Sequence, residues 1–300
     1  MIKVKLDDAF ARLDDTMTTF LLHENSIRGA FFNGRVLVAQ MQAQHRLGIL
    51  ETLCLGHACL CAALCIPMMK GKERVIIRYE TDGKIPGFSV EAASDGWVRG
   101  YLFNDTIPLD TPLESWDLAP FFGEGFLTVI RFPENAKEPI SGTVAIKHKN
   151  IAKDLTEYFL QSEQTQTAIT SSIKFGKDGK LESAGALFLQ AMPGADDAAL
   201  EQAVADFEKI GSLADFLEKH EHNETCIKTA FANLEPVPLL SRTIRFACPC
   251  SHENFLSKIK LLPKKEIKAL LEQERIEITC QNCSSVYRYK KEEIEKFIDD

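Results

Sequence analysis

Two close pairs of cysteines near the end of the chain constrain its fold more than any other feature. The pairs are Cys248 with Cys250 and Cys280 with Cys283, and 29 residues of mostly polar sequence separate them. Four thiolates satisfy the tetrahedral coordination of zinc, and folding can bring two close pairs together to supply them. The spacing therefore predicts one zinc ion per chain, although the first pair encloses one residue where the usual pattern has two.

The segment that carries these pairs, residues 241–300, is too small to be stable by its apolar core alone. A domain of about 60 residues gains only about 3–5 kcal/mol from such a core. Metal binding is therefore expected to supply most of the folding free energy, on the order of 10 kcal/mol, and the segment should unfold when the zinc leaves. Within it, residues 256–262 and 264–272 have helical patterns, and residues 276–279 and 286–289 form a predicted hairpin.

The same thiols also admit oxidation. A disulfide closed within each pair, Cys248 to Cys250 and Cys280 to Cys283, would remove all four ligands, so the zinc would have to leave. A disulfide across the single residue Pro249 is constrained in its geometry, and constrained disulfides are reduced more easily. The residues alone leave a purely structural zinc site open as the alternative, since most sites with four thiolates are structural.

The other five cysteines stand in a different setting. Four of them lie in the most apolar part of the chain, and the fifth is isolated: Cys54, Cys59, Cys61, Cys65 and Cys226. The odd total of nine cysteines argues against a secreted framework of paired disulfides. In an apolar helix a thiol behaves as a small hydrophobic group with a raised pKa, and it is inert. A metal site built from His57 and Cys61 is the less favoured interpretation of the same helix.

The apolar run over residues 53–69 predicts a buried helix and not a membrane span. It is shorter than the roughly 20 residues that a span requires, and it contains Gly56, His57 and Pro67, the last of which ends a helix. The first residues of the chain lack the uninterrupted apolar core of a secretory signal. We therefore expect a cytoplasmic protein with no membrane partner.

Strand patterns dominate the first two thirds of the chain and predict the α+β fold class. The candidate strands are residues 74–80, 86–92, 97–103, 127–132, 142–148, 168–174 and 184–192. The turn sequence from Thr81 to Lys84 joins the first two and predicts a hairpin. Helices before Pro67 and around residues 152–161 are expected to cover one face of an antiparallel or mixed sheet. This sheet-and-helix domain is assigned to residues 1–194.

Residues 195–240 differ in composition and are predicted to form a helical linker. Ten acidic residues against three lysines give this segment a charge of −7, which is almost the whole net charge of −8. One apolar stripe is expected on its first helix: Leu200, Ala203, Val204, Phe207 and Ile210. Asp196 or Asp197 is the expected cap, and Gly211 is the expected stop. Such acidic helices depend on packing against a neighbour, so the linker is predicted to be metastable; an ordinary solvated linker is the alternative.

Composition and motifs argue against an enzyme and against a protein that coats nucleic acid. The chain has no glycine-rich phosphate-binding run ending in Lys-Ser or Lys-Thr, and His252-Glu253 lacks the second histidine of a zinc protease helix. The remaining rival is a zinc ribbon that binds nucleic acid through residues of the tail: Arg242, Arg245, Lys264, Lys265, Lys268 and Tyr287 or Tyr289. Residues 241–300 have twelve basic against ten acidic residues, and this balance of +2 argues against that function.

Several segments together resemble the 33 kDa chaperonin family, a family of redox-regulated heat-shock holdases. The two cysteine pairs are similar to the family's Cys-x-Cys-Ser and Cys-x-x-Cys motifs. Further similar segments lie in the first domain: residues 95–101 (DGWVRGY), 125–130 (GFLTVI), 154–155 (DL) with 158–159 (YF), 162–165 (SEQT) and 189–195 (LQAMPGA). The resemblance extends from about residue 28 to residue 289, and it is far more specific than the cysteine pairs alone.

The resemblance implies a mechanism for the three parts of the chain. The reduced protein holds zinc through Cys248, Cys250, Cys280 and Cys283 and is inactive. Oxidation together with unfolding stress forms the Cys248–Cys250 and Cys280–Cys283 disulfides, releases the zinc, unfolds the tail and destabilises the linker. The exposed surface then binds unfolding client proteins without ATP, and the chaperone becomes a homodimer, whereas the reduced form is expected to be a monomer. The other five cysteines are not part of the family's switch.

Overall fold

The computed structural model of this chain describes residues 15–109, 115–220 and 222–299. Its strands, in chain order, are β1 (Thr16–Leu22), β2 (Ile27–Asn33), β3 (Arg74–Thr81), β4 (Gly87–Ala93), β5 (Trp97–Leu102), β6 (Gly125–Phe132), β7 (Ile140–Ala145), β8 (Thr167–Phe175), β9 (Leu181–Ala191), β10 (Val237–Thr243), β11 (Arg245–Phe246), β12 (Ile276–Thr279) and β13 (Val286–Tyr289). Its helices are α1 (Arg35–His45), α2 (Ile49–Ala63), α3 (Ile151–Ser162), α4 (Asp197–Lys209), α5 (Leu213–Glu218), α6 (Asn223–Ala230), α7 (His252–Ile259), α8 (Lys264–Leu271) and α9 (Lys291–Asp299). The predicted α+β class is confirmed.

Two larger sheets form the body of the molecule, and a short third sheet belongs to the tail. The five-stranded sheet has the order β10-β1-β2-β9-β8, and the six-stranded sheet has the order β11-β5-β4-β3-β6-β7. Strand pairing in the described residues is antiparallel except between β11 and β5. The two predicted hairpins, β3 with β4 and β12 with β13, are confirmed. The predicted strands of the first domain are divided between two sheets, where the sequence indicated one.

Helix α2 lies in the centre of the core. It packs against strands of both larger sheets, and all of its residues except Ile49 and His57 are buried. The segment Ile49–Met68 is long and apolar enough to cross a membrane by length and composition, but 89% of its most apolar part is buried inside the molecule. Packing within the protein therefore explains its composition. The predicted buried helix is confirmed, and it ends at Ala63, before Pro67.

The acidic linker is folded and covers one face of the five-stranded sheet. Its three helices, α4, α5 and α6, bury a second apolar cluster against that face. The cluster contains Phe20, Phe31, Leu187 and Leu189 from the sheet and Ala199, Ala203, Leu213, Leu217, Ile227 and Phe231 from the linker. The rings of Phe20 and Phe231 stack with their centroids 5.6 Å apart. The amide of Asn223, at the start of α6, donates a hydrogen bond to the carbonyl of Thr16 (2.8 Å).

The first linker helix begins and ends close to its predicted bounds. The carboxylate of Asp196 caps it by accepting a hydrogen bond from the N–H of Ala199 (2.9 Å), and Gly211 follows its end with φ +63°. The predicted position of Val204 is wrong, because this side chain is 47% exposed. The buried apolar side chains of this helix are those of Ala199 and Ala203, and the larger Leu200, Phe207 and Ile210 are only partly buried, so fewer positions are buried than the apolar stripe predicts.

The chain passes from one large sheet to the other where the tail begins. Strand β10 adds to the outer edge of the five-stranded sheet beside β1, with one bulge in the pairing. It carries the exposed apolar side chains of Val237, Leu239 and Leu240, and it contains Pro238. Strand β11 then pairs with β5 of the six-stranded sheet over two residues. The predicted boundary between residues 240 and 241 falls inside β10. The division of the chain into three parts stays a prediction.

A buried carboxylate joins helix α3 to the six-stranded sheet. Asp154 has no exposed surface, and it accepts a hydrogen bond from the hydroxyl of Tyr79 (2.8 Å). The same carboxylate accepts hydrogen bonds from the backbone N–H groups of Lys147 (3.0 Å), His148 (2.8 Å) and Asn150 (3.0 Å). A buried carboxylate is tolerated only when its oxygens are satisfied in this way.

We expect Asp154→Asn to lower the free energy of unfolding by about 3 kcal/mol. The amide nitrogen of asparagine is a donor, and it would face N–H and O–H groups that are themselves donors and need an acceptor. Urea denaturation followed by circular dichroism measures this loss. Asp95→Asn, at an exposed position in the turn between β4 and β5, is the matched control and should change stability by less than about 0.5 kcal/mol. Equal stabilities of the two variants would contradict the role of Asp154.

Candidate metal centre

The structure brings the four predicted cysteines together at one point. All four sulfur atoms lie within 4.8 Å of one another. The Sγ of Cys248 is 3.8 Å from the Sγ of Cys280, and the Sγ of Cys250 is 3.5 Å from the Sγ of Cys283. A tetrahedron of thiolates around zinc, with Zn–S distances of about 2.3 Å, has sulfur–sulfur distances of about 3.8 Å. The cluster therefore fits a tetrahedral metal ion, and its donor atoms are compatible with zinc.

Local hydrogen bonds fix the backbone around each pair of cysteines. After the first pair, the hydroxyl of Ser251 caps helix α7 by accepting a hydrogen bond from the N–H of Asn254 (3.1 Å). The second pair lies between β12 and β13, where the N–H groups of Cys283 and Ser284 donate to the carbonyl of Cys280 (3.3 and 2.7 Å). Ser284 takes the left-handed conformation, with φ +52°. The sulfur atoms are therefore held close together by short turns.

Two tyrosines of β13 support the centre from the interior of the tail. The hydroxyl of Tyr287 donates to the carbonyl of Cys250 (2.9 Å) and lies 3.0 Å from its Sγ. The hydroxyl of Tyr289 donates to the carbonyl of His252 (3.1 Å). Tyr287 is 3% exposed and Tyr289 is 6% exposed, so neither ring is available to stack on a nucleobase. The basic residues of the nucleic-acid alternative are spread over β10, β11 and α8: Arg242, Arg245, Lys264, Lys265 and Lys268.

Four thiols this close together cannot all carry a negative charge without a cation between them. Hydrogen bonds from the thiols of Cys280 and Cys283 lower the pKa of Cys248 far below its ordinary value, and Arg99 acts in the same direction. The contact with Cys248 in turn raises the pKa of Cys280, and burial raises the pKa of Cys250 to about 11. The cluster alone therefore favours one thiolate among thiols, and a bound cation would take the place of their protons.

The centre lies against the six-stranded sheet. Arg99 on β5 places its Nη1 3.2 Å from the Sγ of Cys248. On the next residue, the N–H of Gly100 donates to the carbonyl of Asn282 (3.3 Å), which lies within the second cysteine pair. Arg99 belongs to residues 95–101, a segment that carries the family resemblance, but no pattern in the sequence predicted a role for its side chain.

A histidine at the end of α1 also contacts the second pair. The Nδ1 of His45 is 2.8 Å from the hydroxyl of Ser284, and its Nε2 is 3.3 Å from the carbonyl of Asn282. Burial lowers the pKa of His45, so the ring is neutral at pH 7, donates from Nε2 and accepts the serine hydrogen at Nδ1. The sequence carried no signal for this contact, because no motif includes His45.

Comparison with known proteins decides the family. The family model described as Hsp33 protein matches residues 15–290. The chain belongs to the Hsp33 family. The 33 kDa chaperonin of Lactococcus lactis subsp. cremoris (strain MG1363) is 29% identical over 275 residues, which cover 91% of this chain and 95% of the relative. The 33 kDa chaperonin of Prochlorococcus marinus subsp. pastoris is 32% identical over 273 residues, which cover 86% and 90%.

A solved structure of the same family has the same fold. The crystal structure of the 33 kDa chaperonin from Thermotoga maritima, a heat shock protein 33 homologue, matches with a TM-score of 0.84 at 25% identity. The match covers 94% of this chain and 97% of that one. The predicted resemblance is therefore confirmed, and the Hsp33 family is one of heat-shock chaperones.

The five cysteines outside the four-cysteine centre are buried, and burial raises their pKa values. This confirms the prediction for the four cysteines of the apolar run, and the isolated Cys226 has the same kind of setting. Burial raises the pKa of Cys61 and Cys65 to about 12 and the pKa of Cys226 to about 11. The Nδ1 of His57 is 2.8 Å from the hydroxyl of Ser171, which also accepts from the thiol of Cys61 (3.8 Å). In the part of the chain that the structure describes, His57 and Cys61 have no third metal ligand close by. The alternative metal site is therefore not supported.

Removing metal from the reduced protein with a chelator should unfold the tail and let iodoacetamide label Cys248, Cys250, Cys280 and Cys283 near neutral pH, because an unfolded thiol regains its ordinary pKa. The other five cysteines should stay unmodified, because burial and raised pKa values suppress their thiolates. Mass spectrometry of the digested protein locates the label. Protein unfolded in guanidinium, in which all nine cysteines should react, is the control. Labelling of Cys54 in the folded protein as fast as in the tail would contradict the assignment.

Proposed function

We propose that this chain is a redox-regulated, ATP-independent holdase whose switch is the four-cysteine centre. Its membership of a heat-shock chaperone family supports the holdase activity. The observation that carries the proposal is the convergence of four sulfur atoms within 4.8 Å in a tail with a small interior. Oxidation of these four sulfur atoms would therefore act directly on the folding of the tail.

In the reduced state, one zinc ion is held by the thiolates of Cys248, Cys250, Cys280 and Cys283, and the chaperone is inactive. Zinc neutralises charge that the four sulfur atoms cannot carry alone. Apart from the cysteines, the buried apolar residues in the described part of the tail are few: Ile244, Phe246, Leu256, Ile259, Ile276, Tyr287, Tyr289 and Ile294. A core of this size does not keep so short a segment folded, so the metal holds the tail together.

Oxidation removes two electrons from each pair of thiolates and forms one sulfur–sulfur bond per pair, Cys248 to Cys250 and Cys280 to Cys283. Hypochlorite takes up two electrons as chloride and hydroxide, and hydrogen peroxide takes them up as two hydroxide ions. A disulfide sulfur carries no charge, so each bond removes two ligands and the zinc ion passes to water. This pairing is taken from the family resemblance. Distances alone do not select it, because in a tetrahedral cluster every sulfur is near the other three.

Loss of zinc unfolds the tail, and the linker follows under unfolding stress. The linker helices are held mainly by packing on the five-stranded sheet, and their segment carries a charge of −7, which opposes their compact arrangement. The sheet face beneath them has large apolar side chains: Phe20, Phe31, Leu187 and Leu189. Apolar surface binds without regard to sequence, which suits a partner that is any unfolding protein.

The partners in this proposal are unfolding client proteins, and the four cysteines are redox-active ligands and not catalytic residues. The reduced chain is a monomer and the oxidised chain a homodimer, acting in the cytoplasm during oxidative stress. Neither ATP, nucleic acid nor a membrane takes part. The burial of Tyr287 and Tyr289 supports this choice over a zinc ribbon that binds nucleic acid.

Reduced protein should contain one zinc ion per chain, and hypochlorite, or peroxide with mild heat, should release it as the protein begins to suppress client aggregation. A zinc-sensitive dye and light scattering from a heat-labile test protein follow both events in one tube without ATP. Reduction in the presence of added zinc should reverse both signals. Zinc retained under full oxidation, or released with no protection of the test protein, would overturn the proposal.

Cys280→Ser should weaken zinc binding by about 100-fold or more and abolish redox control, because a serine hydroxyl is not a thiolate ligand. Cys54→Ser makes the same change of atoms inside α2 and is the matched control. It should keep zinc affinity and lose about 1 kcal/mol of stability. Competition with a chelator measures the affinity. An unchanged affinity in Cys280→Ser would exclude this residue as a ligand.

A further inference from the structure

Arg99 connects the interior of the six-stranded sheet to a sulfur atom of the tail. Its Nε donates to the Oε2 of Glu91 (2.7 Å), and its Nη2 is 2.5 Å from the same oxygen. Its third nitrogen, Nη1, is 3.2 Å from the Sγ of Cys248. The side chain of Arg99 is 18% exposed and that of Glu91 is 6% exposed. The guanidinium therefore bridges a buried carboxylate and the metal centre.

The single negative charge of Glu91 faces the positive charges of two arginines. Glu91 lies opposite Arg99 in the ladder between β4 and β5, and its Oε1 is 2.5 Å from the Nη1 of Arg74. One carboxylate thus faces two guanidinium groups, of which Arg74 is the more open to solvent. The Sγ of Cys248, 3.2 Å from Nη1, is the further acceptor next to the mostly buried Arg99, and as a zinc ligand in the proposed function it would carry negative charge.

Among the described residues, four other polar contacts join the second cysteine pair and its flank to the N-terminal part, and all are uncharged. They are Gly100 to Asn282, His45 to both Asn282 and Ser284, and Gln44 to Ser285. The strand pairing of β11 with β5 adds two residues. A hydrogen bond with a charged partner is about twice as strong as a neutral one. The contact between Arg99 and Cys248 is therefore the strongest of these.

We propose that Arg99 is a positioning residue that docks the four-cysteine centre on β5 through the negative charge of Cys248. The inference rests on the proposed function for the metal–thiolate centre and for its oxidation. A thiolate is a charged acceptor whether free or metal-bound, whereas a disulfide sulfur is neutral. The electrons pass to the oxidant, and Arg99 takes no part in that transfer. Oxidation removes the charged acceptor of Nη1 and leaves Arg99 with only Glu91, which it shares with Arg74, in a site mostly closed to water, and this favours undocking of the tail.

The test uses the full-length, reduced, zinc-loaded protein and three variants, Arg99→Gln, Arg99→Lys and Arg78→Gln. Amide hydrogen exchange, followed by NMR, reports docking at Gly100, Arg245 and Ala247, whose N–H groups donate across the interface. In Arg99→Gln these amides should exchange about tenfold faster, the effect of losing one charged hydrogen bond. Zinc content and the amides of the β12–β13 hairpin should not change.

The two other variants separate charge from structure. Arg99→Lys keeps the positive charge and should restore part of the protection, which a role in side-chain packing alone would not predict. Arg78→Gln removes an arginine from β3 of the same sheet, where it forms an exposed ion pair with Glu80. This control should leave the protection of the three interface amides at the wild-type level.

Wild-type exchange rates at these amides in Arg99→Gln would overturn the proposal. General loss of protection across the β3–β4 ladder would also overturn it, because Arg99 would then stabilise the sheet itself. After full oxidation, the interface amides of wild type and of Arg99→Gln should exchange at equal rates. Slower exchange in oxidised wild type than in oxidised Arg99→Gln would count against the role of the sulfur charge. Retention of zinc by wild-type protein under oxidant would contradict the proposed function and leave the docking role of Arg99 unaffected. Docking is measured in the reduced protein, without oxidant.

Discussion

The mutual repulsion of four sulfur atoms is the constraint on which the tail depends. Within 4.8 Å of one another, these atoms cannot all be thiolates unless a cation lies between them. In the proposed function, the small interior of the tail does not offset the loss of that cation. Oxidation of the sulfur atoms would then be enough to unfold the tail, and no separate transmission device would be needed within it.

The linker is the second part of the chain that is proposed to unfold, and it packs on a body with a large apolar core. Helix α2 and the two larger sheets form a continuous apolar core around residues with almost no exposed surface. The linker helices only rest on one face of this body, and they concentrate negative charge there. In the proposed function, the molecule thus combines a part that stays folded through ordinary packing with a linker whose composition predicts low stability.

Local patterns in the sequence predicted most strands, the buried helix and the cysteine cluster. The β3–β4 hairpin follows from the turn residues between its strands, and the cluster follows from the spacing within each cysteine pair. Contacts between distant segments were not predictable in this way. Arg99 and Cys248 are 149 residues apart, and His45 and Ser284 are 239 residues apart, beyond any periodicity. Val204 was misplaced because the helical pattern alone does not show which apolar positions the neighbouring segments cover: α4 packs on α6, buries Ala199 and Ala203 and leaves Val204 exposed.

Strand β10 has a further consequence for a protein that handles unfolding chains. It is an outer strand with the exposed side chains of Val237, Leu239 and Leu240, and such an edge is a template on which foreign strands assemble into fibrils. Pro238 has no N–H to offer an incoming strand, and the bulge beside it breaks the regular ladder. The edge is thereby protected against growing an amyloid-like extension from the polypeptides that gather around a chaperone.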